Sequence, residues 1–185
     1  MLKIIGGIVV VVALVIAAGL VYAAFMPDTF RVERALDIKA PPERIFALIN
    51  DFHRWGSWSP YETKDPAMKR TMSGPASGAG AVYEWEGDTG KVGSGRMEII
   101  DASPSMIAIK LDFLKPFEGH NVAEFTLEPN GDLTRVTWAM HGPSSLVHKV
   151  MGLFLNLDRM IGDDFQTGLA NLKTLAEASR SAGRS

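Results

Sequence analysis

The last long segment of the chain restricts the fold more than any other. From residue 144 to 178 apolar residues recur in steps of three and four, the spacing of one helix face. They are Leu146, Val150, Leu153, Phe154, Leu157, Ile161, Phe165, Leu169, Leu172 and Leu175. A helix within Ser144–Ala178 that carries these residues would need roughly 30 residues and be about 45 Å long. So long an apolar stripe needs a partner along its whole length, and the preceding segments indicate a sheet.

Seven earlier segments alternate apolar and polar residues, the pattern of strands with one buried face. They are 30–40, 68–73, 81–86, 91–102, 106–113, 118–128 and 133–140. Turn residues separate consecutive strands, which predicts hairpins and an antiparallel sheet. Two short helices are predicted between the first and second strands, and Trp55 and Trp58 lie on one face of the second helix. A flat sheet of seven strands is wider than one helix, so the sheet must curl around it.

An unbroken apolar run at residues 4–26 precedes the strands. It exceeds the roughly 20 residues that a transmembrane helix needs, so an uncleaved anchor over 1–27 is predicted. The alternative is a signal peptide cut after Ala23, although the apolar core of such peptides is usually only about 7–15 residues long. The anchor predicts a single-pass protein of the cell membrane. The flanking charges nearly balance and leave open the side on which the rest of the chain lies.

Composition excludes several classes of function. The 185 residues are enough for one domain, predicted at 28–180, with an appendage before it and a disordered tail at 181–185. The net charge of −2 offers no basic surface for nucleic acid. The chain has no cysteine, which excludes disulfides and thiolate metal sites. No cofactor is predicted, and the sequence indicates neither a protein partner nor an oligomeric state.

The residues after the first strand resemble a known family. The segment Ala40–Phe46, then Asp51, Trp55 and Trp58-Ser59-Pro60, is similar to the opening of the START-like helix-grip (SRPBCC) superfamily. Within it, bacterial polyketide cyclase/dehydrase and lipid-transport proteins look closest, over about 31–178. The resemblance implies an α+β helix-grip fold, in which a curved antiparallel sheet of about seven strands wraps around a long C-terminal helix. It also implies a hydrophobic cavity between sheet and helix, which in this superfamily holds lipids, polyketides or other apolar molecules.

The inward-facing residues of the strands and helix predict the lining of such a cavity. They are Tyr83, Trp85, Met97, Phe113, Phe125, Trp138, Met140, Phe154, Asp158, Ile161 and Phe165. Small barrels usually fill their interior with side chains, so a packed core is the alternative to an open cavity. The predicted function is a membrane-anchored binding module for a hydrophobic small molecule or lipid. A cyclase or dehydratase acting on an apolar, polyketide-like substrate is the alternative, and the ligand itself is not indicated.

Few residues suggest catalysis. No histidine pair has the spacing of a metal site and no serine lies in a nucleophile elbow, so no metal site and no catalytic set are predicted. His120 and His141 lie at strand ends, where exposed loop positions explain them as well as a role at the cavity mouth. Asp158 lies within about 50° of the centre of the apolar stripe. It is either a cavity carboxylate or a flanking residue that reaches water or an arginine such as Arg34 or Arg96. These three are the weak catalytic candidates.

Overall fold

The structure is a computed structural model that describes residues 2–145, 149–150, 152 and 156–178. An N-terminal helix, α1 (Leu2–Ala24), precedes the first strand, β1 (Thr29–Ile38). Three short helices follow: α2 (Pro42–Ile49), a 3-10 helix (Phe52–Ser57) and α3 (Tyr61–Lys64). Six further strands come next: β2 (Lys69–Ser73), β3 (Val82–Glu86), β4 (Ser94–Ser103), β5 (Met106–Lys115), β6 (Gly119–Asn130) and β7 (Leu133–Pro143). The last described helix is α4 (Leu157–Ala178).

The seven strands form one antiparallel sheet in the order β1-β7-β6-β5-β4-β3-β2. Strands β2 to β7 are consecutive neighbours, as the predicted hairpins require, and β1 pairs with β7 from Thr29 opposite Pro143 to Ile38 opposite Thr134. Two register shifts between β4 and β5, at Ser94/Gly95 and Ile99/Asp101, skip Leu114 of β5 and Ile100 of β4, and irregularities of this kind bend a strand. The predicted α+β fold, with its curved seven-stranded sheet and C-terminal helix, is confirmed.

The two ends of the sheet have different neighbours. We call the end at which Thr29 pairs with Pro143 the proximal end, because the chain enters the sheet there from α1. At the opposite, distal end Ile38 pairs with Thr134. Strands β1 and β2 are the two edges of the sheet, so the short helices between them must cross its width. They cover the inner face of the sheet together with α4.

Helix α4 begins later than predicted. Asn156 is not helical, and its side-chain Oδ1 accepts a hydrogen bond from the Arg159 backbone N–H at 2.9 Å. Its carbonyl accepts the first helical hydrogen bond, from the Met160 N–H at 3.0 Å. This is an N-cap, which satisfies backbone donors at a helix start, so a single helix over Ser144–Ala178 was wrong. The apolar period continues across Asn156, and periodicity alone does not reveal such a break.

The core lies between the inner face of the sheet and the helices that cover it. Its buried cluster runs from Val32 to Ala176 and includes residues of every strand from β3 to β7, of β1, α2, the 3-10 helix and α4. Helix α4 packs against β1, β7 and α2, with Phe165, Leu169 and Leu172 buried. The described residues of α1 contribute nothing to this cluster.

Helix α1 covers most of the run predicted to be an anchor. Among the residues that the structure describes, no helix is both long and apolar enough to cross a membrane. The predicted transmembrane anchor is not supported by this finding. After α1, the Lys149 ammonium binds the Met26 carbonyl oxygen at 2.8 Å and the Asp28 carboxylate at 2.6 Å, and these contacts tie the linker to the segment after β7.

Candidate functional site: the inner face of the sheet

The distal half of the inner face is filled by an aromatic cluster, composed of Trp55, Trp58, Phe125, Trp138 and Phe165. The rings of Trp138 and Phe165 stack with centroids 4.2 Å apart and an interplanar angle of 10°. Phe125 packs on Trp138 at 4.9 Å, and Trp58 meets both of these rings edge-on. All five side chains are buried. This half of the predicted cavity is therefore packed core.

The two tryptophans of the 3-10 helix are fixed by hydrogen bonds as well as packing. Asp51 caps that helix by accepting the His53 N–H at 2.9 Å. The Trp55 indole N–H donates to the Ile49 carbonyl at 2.8 Å, and the Trp58 indole N–H donates to the Leu48 carbonyl at 3.1 Å. Both donors lie in apolar surroundings and both have acceptors, so these rings are held in one orientation.

Trp138 differs from the other two buried tryptophans. Its side chain is only 3% exposed, yet its indole N–H has no hydrogen-bond partner among the described residues. Leaving a buried donor unsatisfied costs about 1–3 kcal/mol, so such groups are rare in packed interiors. This N–H is an available donor deep in the inner face. The Asn50 side-chain oxygen is likewise buried without a partner among these residues.

The proximal half of the inner face is more open. Trp85, Met97 and Phe113, from β3, β4 and β5, are only partly buried. Gly95 lies between Trp85 and Phe113 in the strand register, and a Cβ atom there would overlap the Trp85 indole. The indole therefore lies across Gly95, and its ring centroid is 5.9 Å from that of Phe113. These three side chains form a partly exposed apolar row, which we call the proximal row.

The remaining predicted lining residues divide between these regions. Tyr83 and Met140 are buried, and Ile161 is partly buried against the core. Phe154 lies outside the described residues. The structure thus brings Trp138, Phe125 and Phe165 together in a packed cluster and places Trp85, Met97 and Phe113 in an apolar row that solvent partly reaches.

Tyr83 carries a polar contact that the sequence pattern did not reveal. Its hydroxyl donates to Glu62 Oε1 at 2.6 Å, and the other carboxylate oxygen of Glu62 accepts from Arg70 Nε at 2.7 Å. Burial raises the pKa of the Tyr83 hydroxyl well above its usual range, and the hydrogen bond to Glu62 adds to this shift. The hydroxyl therefore stays protonated at neutral pH. Strand alternation predicted that Tyr83 faces inward, but no sequence pattern indicated that its hydroxyl binds Glu62, which lies 21 residues earlier in the chain.

Asp158 lies at the rim rather than inside. Its side chain is 62% exposed and pairs with Arg34, whose Nη2 lies 3.0 Å from Oδ2 and whose Nη1 lies 3.3 Å from Oδ1. The guanidinium also bonds the Asp158 carbonyl at 3.1 Å. The hydrogen bond to Asp158 raises the pKa of Arg34. Of the two interpretations, the flanking residue that reaches an arginine agrees with this geometry.

The two histidine candidates lie on the outer face of the sheet. His120 Nδ1 is 2.7 Å from Asp112 Oδ1, and His141 Nε2 is 3.4 Å from Glu124. The hydrogen bond to Asp112 raises the pKa of His120 above its usual value. Burial raises the pKa of Asp112, but the hydrogen bonds from His120 and Lys110 outweigh it and leave that pKa below normal. Neither histidine contacts the proximal row, and no group of the described residues could hold a metal ion.

A separate pocket of about 360 Å³ lies at the distal end. It is lined by Ala40, Pro41, Pro42, Arg44, Pro129, Gly131, Asp132, Leu133 and Thr134. The Arg44 guanidinium donates to the Ala176 carbonyl at 3.1 Å and so binds the end of α4. This pocket shares no residue with the predicted cavity.

A curved antiparallel sheet of seven strands closed over a C-terminal helix, with an apolar inner face, defines a helix-grip protein. The family comparison is more specific. Residues 29–177 match the family described as polyketide cyclase / dehydrase and lipid transport. The match covers most of the chain, and the chain therefore belongs to this family.

Solved structures share the fold at low sequence identity. Protein CV1439 from Chromobacterium violaceum is 18% identical, with a TM-score of 0.55 over 82% of this chain and 99% of that one. The Aha1 dimer from Colwellia psychrerythraea is 15% identical, with a TM-score of 0.57 over 80% and 96%. The di-domain ARO/CYC protein StfQ of the steffimycin biosynthetic pathway is 10% identical, with a TM-score of 0.60 over 83% of this chain and 52% of StfQ. No protein of curated function gives a significant match.

Proposed function

We propose that this protein binds one hydrophobic small molecule or lipid in a groove on the proximal half of the inner face of the sheet. The observation that carries the proposal is the proximal row. Trp85, Met97 and Phe113 are large apolar side chains on the concave face of a sheet, and they stay partly exposed while the neighbouring distal half is tightly packed. An apolar concave surface of this kind is typical of small-molecule sites.

The proposal includes one hydrogen-bond acceptor on the apolar ligand, placed to meet the indole N–H of Trp138, which stands at the middle of β7, where the packed cluster adjoins the proximal half of the sheet. This N–H is a buried donor without a partner among the described residues. A carbonyl, ester or ether oxygen that reached it would satisfy the donor and orient the ligand, whereas a pure hydrocarbon would leave it unsatisfied. Family membership is consistent with such ligands, since its description names polyketides and lipid transport.

Attachment to the cell membrane through residues 4–26 is the further part of the proposal. It rests on the apolar run in the sequence and on the exposure of large side chains along α1 and just after it, among them Leu14, Ile16, Val21 and, past the end of the helix, Phe25. Such an attachment would hold the groove close to the bilayer, into which apolar ligands partition. The alternative of a cyclase or dehydratase has less in its favour, because Asp158, His120 and His141 lie outside the groove.

The test is a binding titration with an apolar fluorescent probe, using residues 28–185. We expect saturation at one probe per chain. Met97→Lys should weaken binding at least about tenfold, because an ammonium in the groove must be desolvated or must displace the probe. Ile100→Lys is the matched control, since it adds the same charge to the same strand at a side chain that is already 50% exposed. Equal affinities of the two variants would contradict the proposed site.

A further inference from the structure

The end of β5 and the turn that follows it expose two large apolar side chains. Leu114 is 55% and Phe117 57% exposed, and the residues between and after them, Lys115, Pro116 and Glu118, are exposed as well. We call Leu114–Glu118 the tip. Single exposed apolar side chains are common on soluble proteins, but two within four residues at one end of a hairpin require an explanation.

The strand register places the tip at the proximal end of the sheet. Phe113 pairs with Gly119 across the hairpin, and Lys115 lies beside Ser94. Thr29, the first residue of β1, belongs to the same end, so the chain arrives from α1 on the side where the tip projects. The proximal row reaches this end too, because its residue Phe113 directly precedes Leu114, the first residue of the tip. Three apolar features, the tip, the proximal row and the exit from α1, therefore share one end of the molecule.

The size of the tip favours a bilayer over a protein partner. A stable protein interface buries about 800 Å² on each side, whereas a fully buried aromatic side chain contributes about 150–250 Å². The exposed area of two half-exposed side chains is therefore far smaller than the area that a dimer interface buries. A bilayer requires no matching surface, and it accepts isolated apolar side chains at the headgroup boundary while a lysine stays among the headgroups.

We propose that the tip inserts Leu114 and Phe117 into the bilayer interface and so holds the proximal end of the sheet against the membrane. This inference rests on the membrane attachment in the proposed function and adds an orientation to it. The mouth of the groove at the proximal row then faces lipid rather than water. A ligand passes between the bilayer and the groove without crossing the aqueous phase.

The experiment uses the full-length chain in liposomes of phosphatidylcholine and phosphatidylglycerol. The chain has no cysteine, so a single introduced cysteine carries one environment-sensitive fluorophore. The tip is labelled in Leu114→Cys and in Phe117→Cys, two variants at exposed positions. Asn130→Cys is the matched control, because Asn130 is the exposed last residue of β6 at the distal end, and Ala17→Cys reports on α1. Lipids carrying a nitroxide at a shallow or a deep position serve as quenchers.

We expect both tip labels to lose about half of their emission to the shallow quencher and less to the deep one, because interfacial side chains insert only about 5–10 Å. The label at residue 130 should be unaffected. Quenching at residue 17 without quenching at 114 or 117 would overturn the tip proposal and leave membrane attachment standing. Absence of quenching at all four positions would overturn the attachment and the tip with it. Equal quenching at 130 and 117 would indicate adsorption without orientation and would also overturn the proposal.

Discussion

Two glycines of α4 test whether the packed half of the inner face is as rigid as its ring contacts indicate. A Cβ atom at Gly168 would lie 2.6 Å from Trp138 Cζ3 and 3.1 Å from Pro60 Cδ. Trp138 cannot retreat easily, because it is buried and stacked against both Phe165 and Phe125. At Gly162 a Cβ atom would instead overlap the guanidinium of Arg34, the far end of a flexible side chain that is 29% exposed.

The expected free energies follow from these contacts. Replacing glycine by alanine in a helix interior stabilises by about 1 kcal/mol, and this gain applies to both positions. Overpacking a rigid core costs about 1–3 kcal/mol, so Gly168→Ala should lose about 1 kcal/mol of unfolding free energy on balance. Gly162→Ala should lose only the Arg34–Asp158 pair, which at this exposure is worth about 0–1 kcal/mol, and it should remain at least as stable as the wild type.

The assay is urea unfolding of the wild type and both variants, followed by tryptophan fluorescence. A lower midpoint for Gly168→Ala and an unchanged or higher midpoint for Gly162→Ala would agree with the argument. A Gly168→Ala variant as stable as the wild type would contradict this prediction, since Trp138 would then have room to move. Equal losses of stability in Gly162→Ala and Gly168→Ala would contradict it too, since Arg34 would then be a rigid part of the core.

Three further predictions concern the rim, the outer face and the N-terminus. Asp158→Asn should change the free energy of unfolding by less than about 1 kcal/mol, because its pair with Arg34 is exposed; a larger loss would mean that the carboxylate is buried. The pKa of His120, followed by NMR, should lie above the ordinary value of about 6.5 and fall back in Asp112→Asn. Since the protonated His120 ring makes the stronger contact with Asp112, the stabilising effect of this contact should be complete below that ordinary value and disappear as the pH rises through the raised pKa. An unchanged pKa of His120 in Asp112→Asn would contradict this prediction. Removal of residues 1–27 should leave a folded, soluble domain, because no described residue of α1 belongs to the core cluster and, among these residues, Ala23 alone is buried. Aggregation with loss of tertiary signal would place the domain boundary elsewhere.

The strands were predictable because alternation along each one assigns its faces locally. Trp138, Phe125 and Tyr83 all face inward as expected, and the hairpin turns gave their order in the sheet. The start of α4 was not predictable, because the apolar period runs through Asn156. Whether the helix continues there or begins anew depends on one side chain, that of Asn156, which caps α4 by accepting the Arg159 N–H. The helical period gives the face of the helix on which a residue lies, but it does not give the element that packs against each turn of that face.

That limit explains the position of Asp158. Its helical phase predicted a position near the apolar stripe, but the first turn of α4 meets Arg34 of the edge strand rather than the interior, and the side chain is mostly exposed. The extent to which side chains fill the inner face was equally hidden. The stacking of Phe165 on Trp138 depends on Gly168 and on how closely α4 approaches the sheet, which are properties of the assembled fold.

The central claim is that the inner face holds a hydrophobic ligand, and mass spectrometry of what the protein carries tests it most directly. Full-length wild-type protein, purified in mild detergent, should release one class of apolar molecule with a hydrogen-bond acceptor at close to one molecule per chain. Met97→Lys, prepared identically, should have lost most of it, while Ile100→Lys should retain it. The account would be contradicted if the wild type and Met97→Lys released the same lipids in the same amounts, because such lipids would come from the detergent micelle and not from the groove.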